Sequence, residues 1–550
     1  MTLPSKALLQ VMWNRLLALV EEQGQTLIRA AFSPIVRECG DISAGVFDRN
    51  GRMLAQAVTG TPGHVNTMAE AVRHLCARFP ASKMTPGDIY LTNDPWLASG
   101  HLNDFLLMMP VFYQGHVIGF TSCTSHLVDL GGRGMGPEGS DVYDEGLLIP
   151  PCKLVDAGEV NALLMDIVKA NSREPTANEG DIYALIACCE AGAARLVGLM
   201  QDYGLDDLNV LADYIIDTSR RGTLEAIAKM PSGVFENTLM VDGYEAQVTL
   251  KARLTIGADE VHLDFAGTSG LSTKGINVPL NYAAAYAVFA MRCIIGPDIP
   301  NNAGSLAPFV VTGPEDCILN AQRPAPVAMR HTLGQMTPDL VFGCLHQALP
   351  ERVPAEGASS MYDLPLRHTA DAVTSGGTQF ALELVHNGGT GARPHLDGLS
   401  ATAYPSGVYG SQVEMTEAAA PVTIWQRALR PDSGGAGQFR GGLGQRIEMT
   451  SAIGAPFLVF LSVERIQNPA AGRAGGLPGA PGRIRVSGRT ADIPGKCELR
   501  LEPGERLIFE TPGGGGFGPP ALRAADSLER DITQGLVTLG AAKRDYGEPT

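Results

Sequence analysis

Ser99-Gly100-His101-Leu102-Asn103-Asp104-Phe105 sets a histidine and an aspartate three positions apart behind a glycine, just before an apolar run ending at Phe112. Imidazole and carboxylate at that separation are donors for a divalent metal, or else the polar mouth of a buried strand. The surroundings add donors. Five of the eleven histidines fall between residues 64 and 126, the same window holds Asp94 and Asp104, and Asp129 follows it. Gln114-Gly115 separates two apolar runs as a hairpin turn would. A turn there sets His126 opposite Asn103, with facing Cβ atoms about 5 Å apart, and so within a residue or two of both His101 and Asp104. On a regular strand His101 and Asp104 would face opposite ways. Residues 99–104 are therefore predicted as a turn or strand entry, which Gly100 permits. Two imidazoles and one carboxylate leave positions free for water or substrate, the make-up of a catalytic site suited to Mn²⁺, Fe²⁺ or Zn²⁺.

Other polar residues could serve such a centre. Glu38, Asp41, Asp94 and Asp129 are candidates for general base or orienting groups, and His64, Asn103 and Arg133 for substrate contacts, Arg133 by meeting an anion. Each also has a plain structural reading: turn caps at Glu38, Asp41, His64 and Asp94, a spectator at Asn103, a solvated Arg133.

Several chemistries find no support. "GTSGLSTKG" (267–275) lacks the Gly-Lys-Ser/Thr end of a phosphate-binding loop, and "GGRGMG", "GGAGQFRGG" and "PGGGGFG" do not fit a dinucleotide fingerprint. These glycines are predicted to serve tight turns at positive φ. There is no G-x-S-x-G elbow, and the ten cysteines form no Cys-x-x-Cys pair, which reads as buried thiols in a reducing compartment. A net charge of −16 argues against nucleic acid and anionic lipid as partners. No 18 consecutive apolar residues occur, so no membrane span is predicted, and the cytoplasm is the expected compartment.

The elements that must position these groups follow from pattern. A chain of 550 residues implies two or three lobes. Apolar residues from Leu8 to Val20 recur at helical spacing. Residues 43–56 alternate around Asn50-Gly51, predicting a hairpin with a type I′ turn. Helical spacing covers 66–79, and 88–96 reads as a strand running into a turn. Pro110 marks its strand as an edge or as bulged. Several helices are expected over 176–230, three strands over 233–265, a helix over 282–292 and a turn at 300–305. Strands and glycine turns dominate beyond residue 400. The expected class is α+β and multi-lobed: a metal-site lobe over 1–175, helices over 176–232, a central α+β lobe over 233–400, a β-rich lobe over 401–520 and a helical tail over 521–550.

The blocks "RECGDISAGVFDRNGRMLAQ", "GDIYLTNDPWLASGHLNDF", "SHLVDLGG", "DVYDEGLLIPP", "INVPLNYAAAYAVFAMRC", "PDIPNNAG", "LRPDSGGAGQFRGGLG", "TPGGGGFGPP" and "GLVTLGAAKRDYG" occur in the order seen in the hydantoinase B/oxoprolinase family, which the sequence resembles from residue 5 to 547. The resemblance implies a large subunit working with a hydantoinase A-type partner that binds ATP and phosphorylates a substrate, in a hetero-oligomer such as α2β2. It implies a divalent metal on the family's H-x-x-D motif and a histidine about 22 residues on, which here are His101, Asp104 and His126. The implied activity is ATP-dependent opening of a small cyclic amide at its C–N bond. The alternatives are a carboxylase subunit of the acetone or acetophenone type and a non-catalytic scaffold. The chain departs from relatives at Ser125-His126-Leu127-Val128-Asp129, where they often read "HHADxGG", at His331, where asparagine is common, and at "NPAAGRAGGLPG", where they carry an aromatic block. The departures bear on the substrate and leave the metal trio intact.

Overall fold

The computed structural model describes residues 4–58, 60–374 and 379–547. It is a mixed α+β, multi-lobed structure. A seven-stranded antiparallel sheet is built from β1 (Ile42–Asp48), β2 (Met53–Gln56), β3 (Ile89–Thr92), β4 (Asp104–Tyr113), β5 (His116–His126), β6 (Cys152–Asp156) and β7 (Glu159–Val160), in the spatial order β2-β1-β5-β4-β3-β6-β7. Helices Lys6–Ala30 and Pro175–Tyr203 pack on each other and on one face of this sheet, and helix Pro62–Arg78 covers the other. Helix Pro175–Tyr203 has the length and composition to cross a bilayer, yet half of it is buried, with Leu185, Cys188, Cys189 and Leu196 inside the core.

The β4–β5 hairpin turns as expected at Gln114-Gly115, both at positive φ (49° and 82°). A bulge between Val111 and Phe112 then moves the register by one, so His126 lies opposite Asp104 and not Asn103. The bulge sits beside Pro110, which has no N–H to give the ladder. β4 is interior, flanked by β3 and β5, so of the two readings of Pro110 the bulge is the one observed. The first hairpin differs from expectation as well. Asp48 N–H bonds Arg52 C=O and Gly51 N–H bonds Asp48 C=O, and only Gly51 of the Asn50-Gly51 pair has positive φ. It is a three-residue turn closed by a left-handed glycine rather than type I′. Helix Pro62–Arg78 starts four residues before the predicted 66, capped at Thr61 with proline in its first turn. That extension carries His64 into the helix.

A second sheet, in the order Phe309–Thr312, Val261–Asp264, Val248–Ile256, Gly233–Val241, is covered by helices Leu280–Ile294 and Thr337–Ala348. Two further four-stranded sheets share one core, in which Leu364, Leu384 and Val459 join Ile447, Met449 and Phe509. Their strands come from both sides of residue 400. Glycines 441, 442 and 513–516 in this lobe are not at positive φ, contrary to the turn reading. They allow backbone to touch backbone: a Cβ on Gly441 would come within 1.9 Å of Gly514 O, and one on Gly514 within 1.9 Å of Thr390 O.

Gly100 has the conformation its turn requires, with φ +86° and room for no Cβ, which would lie 2.7 Å from Arg330 Cδ and 2.9 Å from Tyr282 Cβ. Gly100→Ala is therefore expected to destabilise the fold by about 1–3 kcal/mol, read as a lower urea midpoint at unchanged slope. An unchanged midpoint would show that the 99–103 turn is not held as described.

Candidate functional site

Three strand ends meet at one edge of the seven-stranded sheet. Asp41 immediately precedes β1, Asp104 opens β4 and His126 closes β5, with His126 N–H bonding Asp41 C=O at 3.3 Å. Asn93 stitches the turn that follows β3, donating from Nδ2 to Leu102 C=O (2.7 Å) and Leu147 C=O (2.8 Å). Residues 101–103 are turn and the strand starts at Asp104, so His101 and Asp104 face each other.

Asp104 is the hub. Its Oδ1 lies 2.8 Å from His101 Nε2 and 3.2 Å from His126 Nδ1, and its Oδ2 lies 2.9 Å from His64 Nε2 and 2.6 Å from Arg330 Nη2. All five residues are buried. Burial opposes the Asp104 charge, but His101, His64 and Arg330 outweigh it and hold the carboxyl well below its usual range. Arg330 also donates from Nε to Ser99 C=O (2.6 Å) and stacks over Tyr282, 4.0 Å from the ring centroid.

The imidazoles show what the cluster can hold. Burial, then the Arg330 charge, push His101 down to about 4, so it is neutral. Its Nδ1 is 3.0 Å from Ala328 C=O and its Nε2 faces Asp104 Oδ1 at 2.8 Å. His126 sits between two carboxylates, Nδ1 facing Asp104 Oδ1 at 3.2 Å and Nε2 lying 2.8 Å from Glu383 Oε2, off the hydrogen-bond line. Two imidazole nitrogens and a carboxylate oxygen lie within 4.8 Å of one another, close enough to share one cation. Each ring's other nitrogen is turned to an oxygen, the arrangement seen around metal ligands. The donor set of two imidazoles and one carboxylate fits a divalent ion.

Around the trio lies a water-sized cavity walled by Asp41, His64, Arg330, His331, Gln335 and Glu383, among others. His64 bridges two carboxylates, with Nδ1 3.5 Å from Asp41 Oδ1. Burial pulls its pKa down, yet Asp104 and Asp41 raise it above its ordinary value. Burial opposes the charge of Glu383, from strand Ala381–His386, but the neighbouring His126 outweighs it and holds its pKa at about 2. Burial and the Glu383 charge push Asp363 well above the carboxylate range, so it keeps the pair's proton. Both ring nitrogens of buried His331 are without a hydrogen-bond partner among the described residues.

Of the sequence candidates, Asp41 and His64 join the trio at the cavity. The others are placed elsewhere. Asp129 pairs with Arg173 and accepts its backbone N–H beside the start of helix Pro175–Tyr203. Asp94 caps its turn at Trp96 N–H and pairs with Arg323. Glu38 is partly exposed beside Arg37. Asn103 braces the strand mouth, donating to Leu127 C=O at 2.8 Å. Arg133 is exposed. Sequence reasoning missed Arg330, Glu383 and Asp363. Glu383 carried one signal, a lone carboxylate within the apolar alternation Phe380 to Val385. Arg330 carried none.

Fold and site together define an α+β protein with a buried candidate cation centre of two histidines and one aspartate. The chain belongs to the hydantoinase B/oxoprolinase family, whose model matches residues 5–520. The beta subunit of caprolactamase from Pseudomonas jessenii is 31% identical over 558 residues, covering 96% of this chain and 93% of the relative. The B subunit of a putative D-/L-hydantoinase from a Pseudomonas species is 28% identical over 572 residues, covering 98% and 94%. The solved ATP-dependent caprolactamase from Pseudomonas jessenii matches with a TM-score of 0.90 at 27% identity, covering 99% of this chain and 96% of that one. Nucleotide-free acetone carboxylase shares the fold, with a TM-score of 0.85 at 20% identity over 98% of this chain and 79% of that one.

In the metal-free chain, burial disfavours a charged His126, but Glu383 and Asp104 raise its pKa well above 6.5. Its imidazolium therefore stabilises the fold fully below about pH 6.5 and ceases to as pH rises through the raised folded-state value. Cation binding expels this proton, so affinity climbs with pH across that window. Zn²⁺ titrations near neutral pH in buffers of differing ionisation enthalpy should show net release approaching one proton per ion. No release would remove His126 from the ligand set.

Proposed function

We propose that this chain is the metal-bearing catalytic subunit of an ATP-dependent amidohydrolase that opens a small cyclic amide at its C–N bond. The observation that carries the reading is the convergence of His101 Nε2 and His126 Nδ1 on Asp104 Oδ1, in a chain alike over nearly its full length to an ATP-dependent caprolactamase. His101, Asp104 and His126 would hold Mn²⁺, Zn²⁺ or Fe²⁺. Such an ion supplies Lewis-acid polarisation of an amide oxygen and acidifies bound water. ATP is used by a hydantoinase A-type partner that phosphorylates the substrate, in keeping with relatives named as beta and B subunits. The assembly is a hetero-oligomer such as α2β2, in a reducing, cytoplasmic setting.

The chain's own groups divide the remaining work. Arg330, with His64 held between Asp41 and Asp104, gives the cavity a cationic wall for developing negative charge. Asp41, through His64, is the group placed to move a proton at the cavity. Asp129, Asp94 and Glu38 hold the frame, with Asn103 bracing the β4–β5 mouth. A cyclic amide is larger than the cavity, so its apolar walls, Met135, Met361 and Val408, part to admit it. Methionine side chains tolerate such repacking.

Reconstituted with an ATP-binding partner, the chain should open hydantoins, 5-oxoproline or lactams in an ATP-dependent reaction that needs no bicarbonate. His101→Ala should lower turnover by about 1,000-fold, the loss of several kcal/mol of electrostatic assistance. Turnover only with bicarbonate would transfer the chain to the carboxylase reading favoured by its likeness to acetone carboxylase.

A further inference from the structure

The block "DVYDEGLLIPP" (141–151) contributes no residue to the ligand trio, yet its Glu145 is buried, 3% exposed, within a short helix, Val142–Glu145. Glu145 Oε1 accepts two backbone hydrogen bonds, from Val327 N–H at 2.6 Å and Ala328 N–H at 2.8 Å. The segment so gripped turns its other side to the candidate metal centre. Ala328 C=O meets His101 Nδ1 at 3.0 Å, and two residues on Arg330 reaches Asp104 Oδ2 at 2.6 Å. Further bonds fix the same segment, from Asn277 Nδ2 to Pro326 C=O (3.0 Å) and from Met329 N–H to Gly275 C=O (2.7 Å). Glu145 is the one charged-type side chain in this set of clamps.

We infer that Glu145 is a positioning residue for the metal centre: by gripping the Val327 and Ala328 N–H groups it presents the Ala328 carbonyl to His101 and the Arg330 guanidinium to Asp104, orienting two of the three ligands. This rests on the metal reading of the trio.

The grip depends on Oε1 alone and needs no charge. Burial pushes the Glu145 carboxyl up to about 8 against the two N–H bonds, so the neutral acid makes the same two contacts near neutral pH. Glutamine, with a carbonyl oxygen at the same reach, should therefore replace it, whereas leucine removes the acceptor and aspartate is a methylene short. Partners outside the ligand shell typically change metal affinity by about 10–100-fold.

The test is Zn²⁺ and Mn²⁺ affinity of the full chain, by chelator competition, for wild type, E145Q, E145D and E145L, with folding checked by circular dichroism and thermal midpoint. The expected result is E145Q within about threefold of wild type, with E145L and E145D weakened by about 10–100-fold. Folded E145L or E145D binding as tightly as wild type would overturn the role. So would E145Q weakened as much as E145L, which would make charge the operative property. If E145L does not fold, E145D and E145Q decide together: E145D as tight as wild type, or E145Q weakened about 10–100-fold, overturns the role. Wild type that binds neither ion would instead overturn the metal reading itself, and the role of Glu145 with it.

Discussion

The Asp104 carboxylate is fully buried, and most of the site's construction serves to keep it charged there. Removing a carboxylate from water costs several kcal/mol even after relaxation, so it persists only where neighbours compensate it from every side. Here His101, His126, His64 and Arg330 come from a turn, a strand end, a helix start and a distant loop. The seven-stranded sheet brings its own strand ends together, the helix Pro62–Arg78 adds His64, and the segment 327–331 adds Arg330 and His331. The β lobe closes the fourth side through Glu383 against His126. Taking away one compensating group leaves the charge partly unpaired, which for buried pairs costs about 3–5 kcal/mol. The site and the packing of the lobes are therefore one problem with one solution.

The polar groups around the trio have separate tasks. The carbonyl of Ala328 and the carboxylate of Glu383 each lie against the outer nitrogen of a candidate ligand ring, His101 and His126. The glycine-on-glycine contacts of the β lobe let segments 389–392, 433–444 and 512–516 pack with backbones touching. That packing fixes the lobe whose strand Ala381–His386 bears Glu383.

How much of this the sequence disclosed depends on the distance over which each contact forms. His101 and Asp104 were legible because they share a turn that Gly100 marks, and His126 because a hairpin relates it to them. An unbroken hairpin would set His126 opposite Asn103, but the Val111–Phe112 bulge changes the register by one, and a bulge is a local accommodation that Pro110 suggests but does not locate. His64 was legible as a residue near the site, and its contact with Asp104 became clear only once the helix was seen to begin at Pro62. Arg330, Asp363 and Glu383 were not legible, since they approach from more than 200 residues away and no local period encodes that meeting. Asp129, Asp94 and Glu38 show the reverse: they have the right chemistry and lie near in sequence, but ion pairs and caps hold them away from the cavity. The mixed class was readable from pattern, while the sharing of one β core across residue 400 was not.

X-ray absorption at the metal edge of the purified full chain tests the central claim most directly. The account predicts one divalent ion per chain with a first shell of nitrogen and oxygen only, two imidazoles among them, at about 2.0–2.2 Å. A shell containing sulfur at about 2.3 Å, which would place the ion among the cysteines, or no bound metal at all, would contradict it.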